Sequence, residues 1–105
     1  MISIEEINLL HNNICKALSE PKRIQILYAL HEEPQYVSAL ADALDTPQPT
    51  ISRHLTILRE RALVVSEREG TSVIYSLADP RIINILDQMR TLLRDALDRQ
   101  SAGIQ

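Results

Sequence analysis

Apolar and polar residues follow one another along the first third of the chain with the period of an amphipathic helix. Residues 3–18 predict one helix, whose apolar stripe is Ile4, Ile7, Leu10, Ile14 and Leu18. Ser19 is expected to cap a second helix, with Pro21 in its first turn. The positions that this second helix is expected to bury are Ile24, Leu27, Ala29 and Leu30. Glu33-Pro34 is expected to end it, because a residue before proline disfavours the helical conformation.

The segment from Val37 to Leu63 predicts two short helices joined by Asp45-Thr46-Pro47. We expect Thr46 to cap the second of them and Pro47 to occupy its first position. The apolar positions are Leu40, Ala41 and Leu44 on the first, and Ile51, Leu55, Leu58 and Ala62 on one face of the second. Two helices joined by a turn of about 3–4 residues are typical of a helix-turn-helix, whose second helix enters the major groove of DNA.

After Leu63 the apolar period changes from that of a helix to that of a strand. Val64–Arg68 and Val73–Leu77 predict two β-strands around a loop of about four residues, Glu69–Ser72. Gly70 supplies the turn residue of this loop. A hairpin directly after a recognition helix is a wing, so residues 64–77 are expected to form one.

The last predicted helix covers residues 80–98 and is opened by Asp79-Pro80, with about eight C-terminal residues expected to fray. Its apolar positions are Ile82, Ile83, Ile85, Leu86, Met89, Leu92, Leu93, Ala96 and Leu97. A stripe this wide exceeds what one contact with a small core requires. The first helix has a similar surplus, so we expect a homodimer built from the two terminal helices, residues 3–18 and 80–98.

Length and composition favour a single domain spanning residues 1–105 with an aliphatic core. The aromatic residues are three Tyr, so few rings are available to stack on the bases of single-stranded nucleic acid. The net charge of −3 opposes binding to phosphate. Four Arg against two Glu between Arg53 and Arg68 nevertheless predict a modestly basic face on an acidic body.

The single cysteine, Cys15, cannot form an internal disulfide and suits a reducing compartment. No signal-peptide pattern opens the sequence, and no apolar run approaches ~20 residues. We therefore expect a soluble, cytoplasmic protein that has no membrane partner.

The order of elements and several short motifs resemble the ArsR/SmtB family of bacterial winged-helix repressors over roughly residues 13–98. The motifs are Ala17–Leu27 (ALSEPKRIQIL), Leu40–Leu44 (LADAL), Ser52–Leu55 (SRHL) with Leu58, and Leu63-Val64, Arg68, Gly70, Tyr75 and Leu77. Ala62 stands where the family usually places Gly, and we expect it to give an ordinary helical end in place of a left-handed one. The resemblance implies a mainly α (α+β) winged helix-turn-helix in the order α-α-α-α-β-β-α. It also implies a homodimer that leaves its operator when an effector, often a metal ion, arrives.

The metal sites common in that family lack their ligands in this sequence. One is a Cys-x-Cys pair that opens the first helix of the helix-turn-helix, where Tyr36 and Ser38 stand here. Another uses Asp and His near the start of the last helix, with His and Glu further along; here Asp79 is followed by Arg81, and the helix contains no His. Soft and borderline ions need thiolate or imidazole ligands. We therefore expect neither metal site, no cofactor, and an effector of unknown chemistry.

Candidate DNA contacts are side chains that point away from the apolar stripe of the recognition helix, with others on the wing and the second helix. Gln pairs with adenine and Arg with guanine, while Ser and Thr reach bases or phosphate. The candidates are Gln48, Thr50, Ser52, Arg53, His54 and Thr56 on the recognition helix, Arg68 and Thr71 on the wing, and Lys22 and Arg23 on the second helix. His54 faces either DNA or the neighbouring helix. The alternative for the whole set is a solvated surface.

His11 and Cys15 form an i, i+4 pair and are, with His31, the only clustered soft ligands in the chain. They are a candidate thiol or metal sensor, although a lone Cys on a helix is more often a small buried hydrophobe. As a catalytic dyad the pair lacks an orienting third residue and an oxyanion loop, so we do not expect an enzyme.

The leading hypothesis is a sequence-specific transcriptional repressor that binds a palindromic operator in double-stranded DNA as a homodimer and is released by an unidentified effector. Two alternatives stand beside it. One is a winged-helix module that binds a protein partner through its acidic body. The other is a thiol- or metal-responsive repressor that senses through Cys15.

Overall fold

A computed structural model describes residues 1–104, apart from the side chain of Ile104. Within this range the elements are α1 (residues 4–18), α2 (Pro21–Glu32), β1 (Gln35–Tyr36), α3 (Val37–Ala43), α4 (Gln48–Glu60), β2 (Val64–Glu69), β3 (Ser72–Leu77) and α5 (Arg81–Ile104). The predicted order of four helices, a hairpin and a long helix is confirmed. The short strand β1 was not predicted.

Helix α1 is not a uniform α-helix. It is α-helical over Ile4–Leu10, passes through a π-helical turn at His11–Cys15 and ends as an α-helix at Lys16–Leu18. In the π turn the Lys16 N–H donates to the His11 carbonyl, five residues back. Only the end of α1 packs on the body, because Ala17 is buried while residues 1–12 are exposed.

The predicted caps of α2 and α4 are both wrong, for one physical reason. The Ser19 hydroxyl donates to the Lys16 carbonyl at 2.6 Å, and Glu20 stands at the N-cap of α2 without a capping side chain. The Thr46 hydroxyl likewise donates to the Leu44 carbonyl at 2.8 Å. Each hydroxyl satisfies a free carbonyl at the end of the preceding helix instead of an amide of the next one.

The start of α4 is set by two prolines. Pro47 is the N-cap residue and not the first helical residue, so the helix begins at Gln48, one residue later than expected. Pro49 lies in the first turn, where its missing N–H costs no hydrogen bond.

Both helices of the helix-turn-helix end in a Schellman motif. After α3, the Thr46 N–H donates to the Ala41 carbonyl at 2.9 Å, and Asp45 has a φ of +48°. After α4, the Leu63 N–H donates to the Leu58 carbonyl at 2.9 Å, and Ala62 has a φ of +61°. The expectation of an ordinary helical end at Ala62 is therefore wrong: the chain keeps the left-handed turn without the glycine that suits it. Ala62 is also exposed, not part of the buried stripe of α4.

One aliphatic core joins all the helices to the hairpin. Its buried members are Ala17, Ile26, Leu27, Leu30, Leu40, Ala41, Ile51, Leu55, Leu58, Leu63, Val64, Ile82, Ile83 and Leu86. In α2 the buried position missed by the sequence pattern is Ile26, while Ile24 and Ala29 are only half-buried. The three buried apolar residues of α4, Ile51, Leu55 and Leu58, fix which side of that helix faces the body.

The hairpin is longer and its loop shorter than predicted. Glu69 pairs with Ser72, so the loop is Gly70-Thr71, not four residues, and Gly70 has a φ of +60°. Strand β1 adds to the outer edge of β3 through Gln35 and Tyr36, giving the sheet order β1-β3-β2. The wing is therefore anchored along β3, which is the central strand, while β2 forms an edge of the sheet.

Helix α5 begins after Asp79, whose Oδ1 accepts the Arg81 N–H at 2.9 Å and caps the helix as predicted. The helix continues to Ile104. The prediction that the chain frays after residue 98 is therefore wrong for residues 99–104. Gln105 lies outside the described residues. No helix within residues 1–104 combines the length and apolarity needed to cross a membrane.

Candidate nucleic-acid interface

Helix α4 presents a polar face that the rest of the chain leaves free. Ile51, Leu55 and Leu58 are each 0% exposed and bind the helix to the core. Gln48, Ser52 and Arg53 lie on the exposed side. Within residues 1–104, no hydrogen bond or ion pair engages these three side chains, so their donors and acceptors remain available. The prediction that all three side chains face away from the core is confirmed.

The remaining predicted contacts on α4 differ in availability. Thr56 is exposed, but its hydroxyl donates to the Ser52 carbonyl at 3.0 Å within the helix. Thr50 is half-buried. Both can offer a methyl group or a hydroxyl acceptor to a base edge, and neither is as free as Arg53.

His54 is the predicted contact that the structure turns away from solvent. Its side chain is buried, at 9% exposure, and its Nδ1 lies 3.3 Å from Nη1 of Arg23. Burial, and then the positive charge of Arg23, lower the pKa of His54 below its ordinary value. Of the two orientations left open by the sequence, the one towards the neighbouring helix is found, and a direct contact with DNA does not fit this position.

Arg23 is also engaged in hydrogen bonds within its own chain. It is half-buried and donates from Nε to the Ala17 carbonyl at 2.7 Å and from Nη2 to the Lys16 carbonyl at 3.1 Å. With these bonds and the contact to His54 in place, the guanidinium has little left to offer a phosphate, so the predicted role of Arg23 as a DNA contact does not fit. Lys22, one position earlier and half-buried, makes no hydrogen bond within the described chain.

The wing carries its predicted polar residues at its tip. Arg68 and Thr71 are exposed on either side of Gly70. Glu69 lies beside them, and its Oε2 accepts a 2.6 Å hydrogen bond from the Tyr36 hydroxyl. One acidic side chain of the wing is therefore held back towards β1.

A cleft with both polar and apolar lining, which the sequence pattern does not predict, opens at the leading end of α4. It has a volume of about 410 Å³ and is lined by Tyr36, Val37, Ser38, Gln48, Ser72 and Val73. Four separate elements, β1, α3, α4 and β3, supply its hydroxyl and amide groups. Ser72 and Gln48 meet at the cleft although they lie 24 residues apart, so no local pattern predicts it.

A second, mostly apolar cavity lies away from the polar face of α4. It has a volume of about 370 Å³ and is lined by Ile14, Arg61, Ala62, Leu63, Asp79, Arg81, Ile82 and Ile85. Arg81 binds Asp79 in an ion pair at 2.7 Å, and this hydrogen bonding lowers the pKa of the Asp79 carboxyl. The carboxylate is therefore engaged by a cation of its own chain.

His11 and Cys15 are both exposed in the π turn of α1 in the single protomer. Within residues 1–104 no group of three or more His, Cys, Asp or Glu side chains is arranged to hold a metal ion. The pair has no third ligand in its own described protomer.

Known proteins share both the sequence and the shape of this chain. Residues 20–66 match the family model described as bacterial regulatory protein, arsR family. The HTH-type transcriptional repressor SmtB of Mycobacterium tuberculosis is 41% identical over 85 residues, which is 80% of this chain and 63% of that protein. The chain thus spans 63% of the length of that repressor.

Two further known proteins align with this chain over almost their whole length. An HTH-type transcriptional regulator of Methanocaldococcus jannaschii is 40% identical over 80 residues, which is 72% of this chain and 90% of that protein. The solved homodimeric winged helix-turn-helix DNA-binding domain of a possible ArsR-family regulator from Mycobacterium bovis superimposes with a TM-score of 0.77 at 28% identity, covering 93% of both chains.

Proposed function

The chain belongs to the arsR family of bacterial regulatory proteins, and from that premise we propose that it is a transcriptional repressor that binds operator DNA as a homodimer. The observation that carries the proposal is the free polar face of α4. Gln48, Ser52 and Arg53 are exposed on a helix whose opposite side is buried in the core. A helix held in this way fits the major groove with its side chains towards the base edges.

The three side chains have distinct chemistry for reading bases. The Arg53 guanidinium offers two parallel donors that match O6 and N7 of guanine. The Gln48 amide offers one donor and one acceptor that match N6 and N7 of adenine. Ser52 donates to or accepts from either a base or a phosphate. We assign sequence reading to Gln48, Ser52 and Arg53, with supporting contacts from Thr50 and Thr56.

Phosphate contacts fix the protein on the duplex without reading its sequence. The exposed Arg68 and Thr71 at the wing tip suit this role, as does Lys22 at the start of α2. The cleft beside Gln48 adds the hydroxyls of Ser38 and Ser72, whereas the Tyr36 hydroxyl already donates to Glu69. These two serines extend the predicted set of phosphate contacts.

The dimer is supported by apolar surface that one protomer cannot bury. On α5, the exposed residues Ile85, Met89, Leu92 and Leu93 lie on one face and are 47–63% exposed. On α1, Ile4, Ile7 and Leu10 are 40–63% exposed. Soluble proteins rarely leave two such stripes uncovered. The related M. bovis domain is a homodimer, and we propose that the terminal helices of this chain pair in a dimer as well.

Release from DNA is proposed to follow a small shift between the helices of the dimer. A ligand achieves this when it binds one arrangement of the two protomers more tightly than the other. The cavity between α1, the end of α4 and the start of α5 offers about 370 Å³ for such a ligand. Sensing through Cys15 is the alternative, and an unchanged response of Cys15→Ser to thiol oxidants and metals would exclude it.

A gel-shift titration against genomic fragments at several salt concentrations tests the proposal. We expect a saturable complex whose affinity falls linearly with the logarithm of salt concentration, because phosphate binding releases counterions. Absence of any complex at low salt would refute DNA binding. It would instead favour a protein partner for the acidic body, consistent with the net charge of −3.

A further inference from the structure

The Arg23 guanidinium joins two helices that are remote in the sequence. It donates to the carbonyls of Lys16 and Ala17 at the end of α1, and its third nitrogen lies 3.3 Å from Nδ1 of His54 in α4. We call these four residues the Arg23 link. They connect a helix whose other end carries unpaired apolar surface with the helix that presents Gln48 and Arg53.

The α1 side of the link has a clear physical basis. The last four carbonyls of a helix have no partner within it, and α1 ends at Leu18. Lys16 and Ala17 lie in that last turn, and Ala17 is 1% exposed, so water has little access to its carbonyl. The guanidinium satisfies the Ala17 carbonyl, adds a donor to the Lys16 carbonyl that also accepts from Ser19, and places a positive charge at the negative end of the helix dipole.

The α4 side of the link depends on the protonation of His54. A guanidinium has only donors, so the Nδ1 that it approaches must be an acceptor and the imidazole must be neutral. The charged groups that act on His54 are Arg23 and Lys22 from α2, Glu20 at the N-cap of α2, and Arg53 from its own helix. Three of these four are positive, so the surroundings and the burial both favour the neutral ring that the link requires.

Arginine suits this position better than lysine. Its planar fork reaches three acceptors in fixed directions at once, whereas an ammonium is a single point on a flexible stem. The π turn at His11–Cys15 lies directly before the two carbonyls that Arg23 holds. Such turns are rare and occur frequently at functional sites.

We propose that Arg23 is a positioning residue for DNA recognition, which holds α4 in its reading orientation by tying His54 to the end of α1. The effect on DNA binding rests on the proposed function. In that case a displacement of α1 in the dimer reaches the DNA-reading helix through this link. Arg23 and His54 therefore act on DNA affinity without touching DNA.

Amide hydrogen exchange of the full-length protein tests the link independently of DNA. Arg23→Lys keeps the charge and removes the fork, and His54→Leu keeps a buried side chain and removes the acceptor. In both variants we expect exchange at amides 50–56 of α4 and at the end of α1 to speed up by about tenfold or more, with the middle of α5 unchanged. His54→Gln, which retains an acceptor, should remain close to the wild type. Lys22→Gln is the matched control at the neighbouring position.

DNA affinity, measured on fragments selected by the wild-type protein, provides the second readout. We expect Arg23→Lys and His54→Leu to weaken binding by about tenfold each, with no change in the slope of affinity against salt. The double variant should lose little more than either single variant, because both changes break one link. Lys22→Gln should instead lower the salt slope by about one if it removes a phosphate contact.

Two results would overturn the inference. One is unchanged exchange in α4 for both Arg23→Lys and His54→Leu, which would show that the link does not hold the helix. The other is a lower salt slope for Arg23→Gln equal to that of Lys22→Gln, which would make Arg23 a phosphate contact. If the wild type binds no DNA at all, the proposed function fails, while the exchange measurement still decides whether Arg23 positions α4.

Discussion

The Tyr36 hydroxyl donates a 2.6 Å hydrogen bond to Oε2 of Glu69, which ties the first strand of the sheet to the tip of the wing. The bond raises the pKa of the tyrosine, because the nearby carboxylate disfavours a phenolate. Glu69 would otherwise stand free beside Arg68 and Thr71, where it would repel a phosphate. Tyr36 therefore fixes both the position of the wing tip and the direction of its acidic side chain.

The two partners should respond in opposite directions when they are changed. Tyr36→Phe frees the wing tip and should weaken DNA binding by about two- to fivefold, while Glu69→Gln keeps an acceptor, removes the repulsion and should strengthen binding by a similar factor. Fluorescence anisotropy at fixed salt measures both. If neither variant differs from the wild type, the wing tip does not approach DNA.

The apolar face of α5 should control assembly. Met89→Glu places a charge in the centre of the proposed interface, where each protomer would bury it without a partner. We expect the dimer dissociation constant to rise by about 100-fold or more, with no loss of helical content, because Met89 is 49% exposed in the single protomer. Light scattering coupled to gel filtration measures the change in mass.

Thr91→Glu is the matched control, since Thr91 is exposed on the opposite side of the same helix. This variant should remain dimeric. A monomeric wild-type protein, or a Met89→Glu variant that stays dimeric, would contradict the proposed pairing of the terminal helices.

Replacing Ala62 with glycine, the residue that suits its left-handed conformation, should stabilise the protein. Its φ of +61° is unfavourable for a side chain with a Cβ atom, so Ala62→Gly should raise the free energy of unfolding by about 1 kcal/mol. Ala39→Gly, at an exposed position inside α3, should lower it by about 0.5–1 kcal/mol. Urea denaturation distinguishes the two, and destabilisation by Ala62→Gly would argue against the left-handed turn.

Much of this organisation could be read from local pattern. Ile51, Leu55 and Leu58 repeat with the helical period, and the exposure of Gln48 and Arg53 follows once that face is buried. The sequence also predicts the surplus of apolar residues on the last helix, because the apolar pattern is the same whether or not a second protomer covers it.

What the sequence did not reveal depends on contacts between distant segments. Strand β1 has only two residues and exists because Gln35 and Tyr36 pair with Tyr75 and Ile74, about 40 positions later. His54 turns towards Arg23, which lies 31 residues earlier. At Ala62, helix propensity favours alanine in an ordinary helical end, whereas the burial of Leu63 and its hydrogen bond to the Leu58 carbonyl favour the Schellman turn.

Stability should depend on pH through His54. Its pKa is lowered in the folded state from 6.5, chiefly by burial, so the unfolded chain takes up the proton first as the pH falls. The stabilising contribution is complete above about pH 6.5 and is lost as the pH falls through the folded-state pKa. His54→Gln should therefore show a flatter dependence of unfolding free energy between pH 7 and pH 5 than the wild type. Equal slopes in urea titrations of the two proteins would contradict this assignment.

The central claim is that two copies of α4 read a symmetric DNA site through Arg53. Selection of bound fragments from genomic DNA, carried out with the wild type and with Arg53→Ala, tests it most directly, and Arg94→Ala on α5 serves as the control of equal charge. We predict an inverted repeat with half-site centres about 10 bp or a multiple apart. In the repeat selected by Arg53→Ala, the preference at one base pair of each half-site is lost and affinity falls about 10- to 100-fold. Fragments without a shared symmetric motif, or an equal loss for Arg53→Ala on selected and random DNA, would contradict the account.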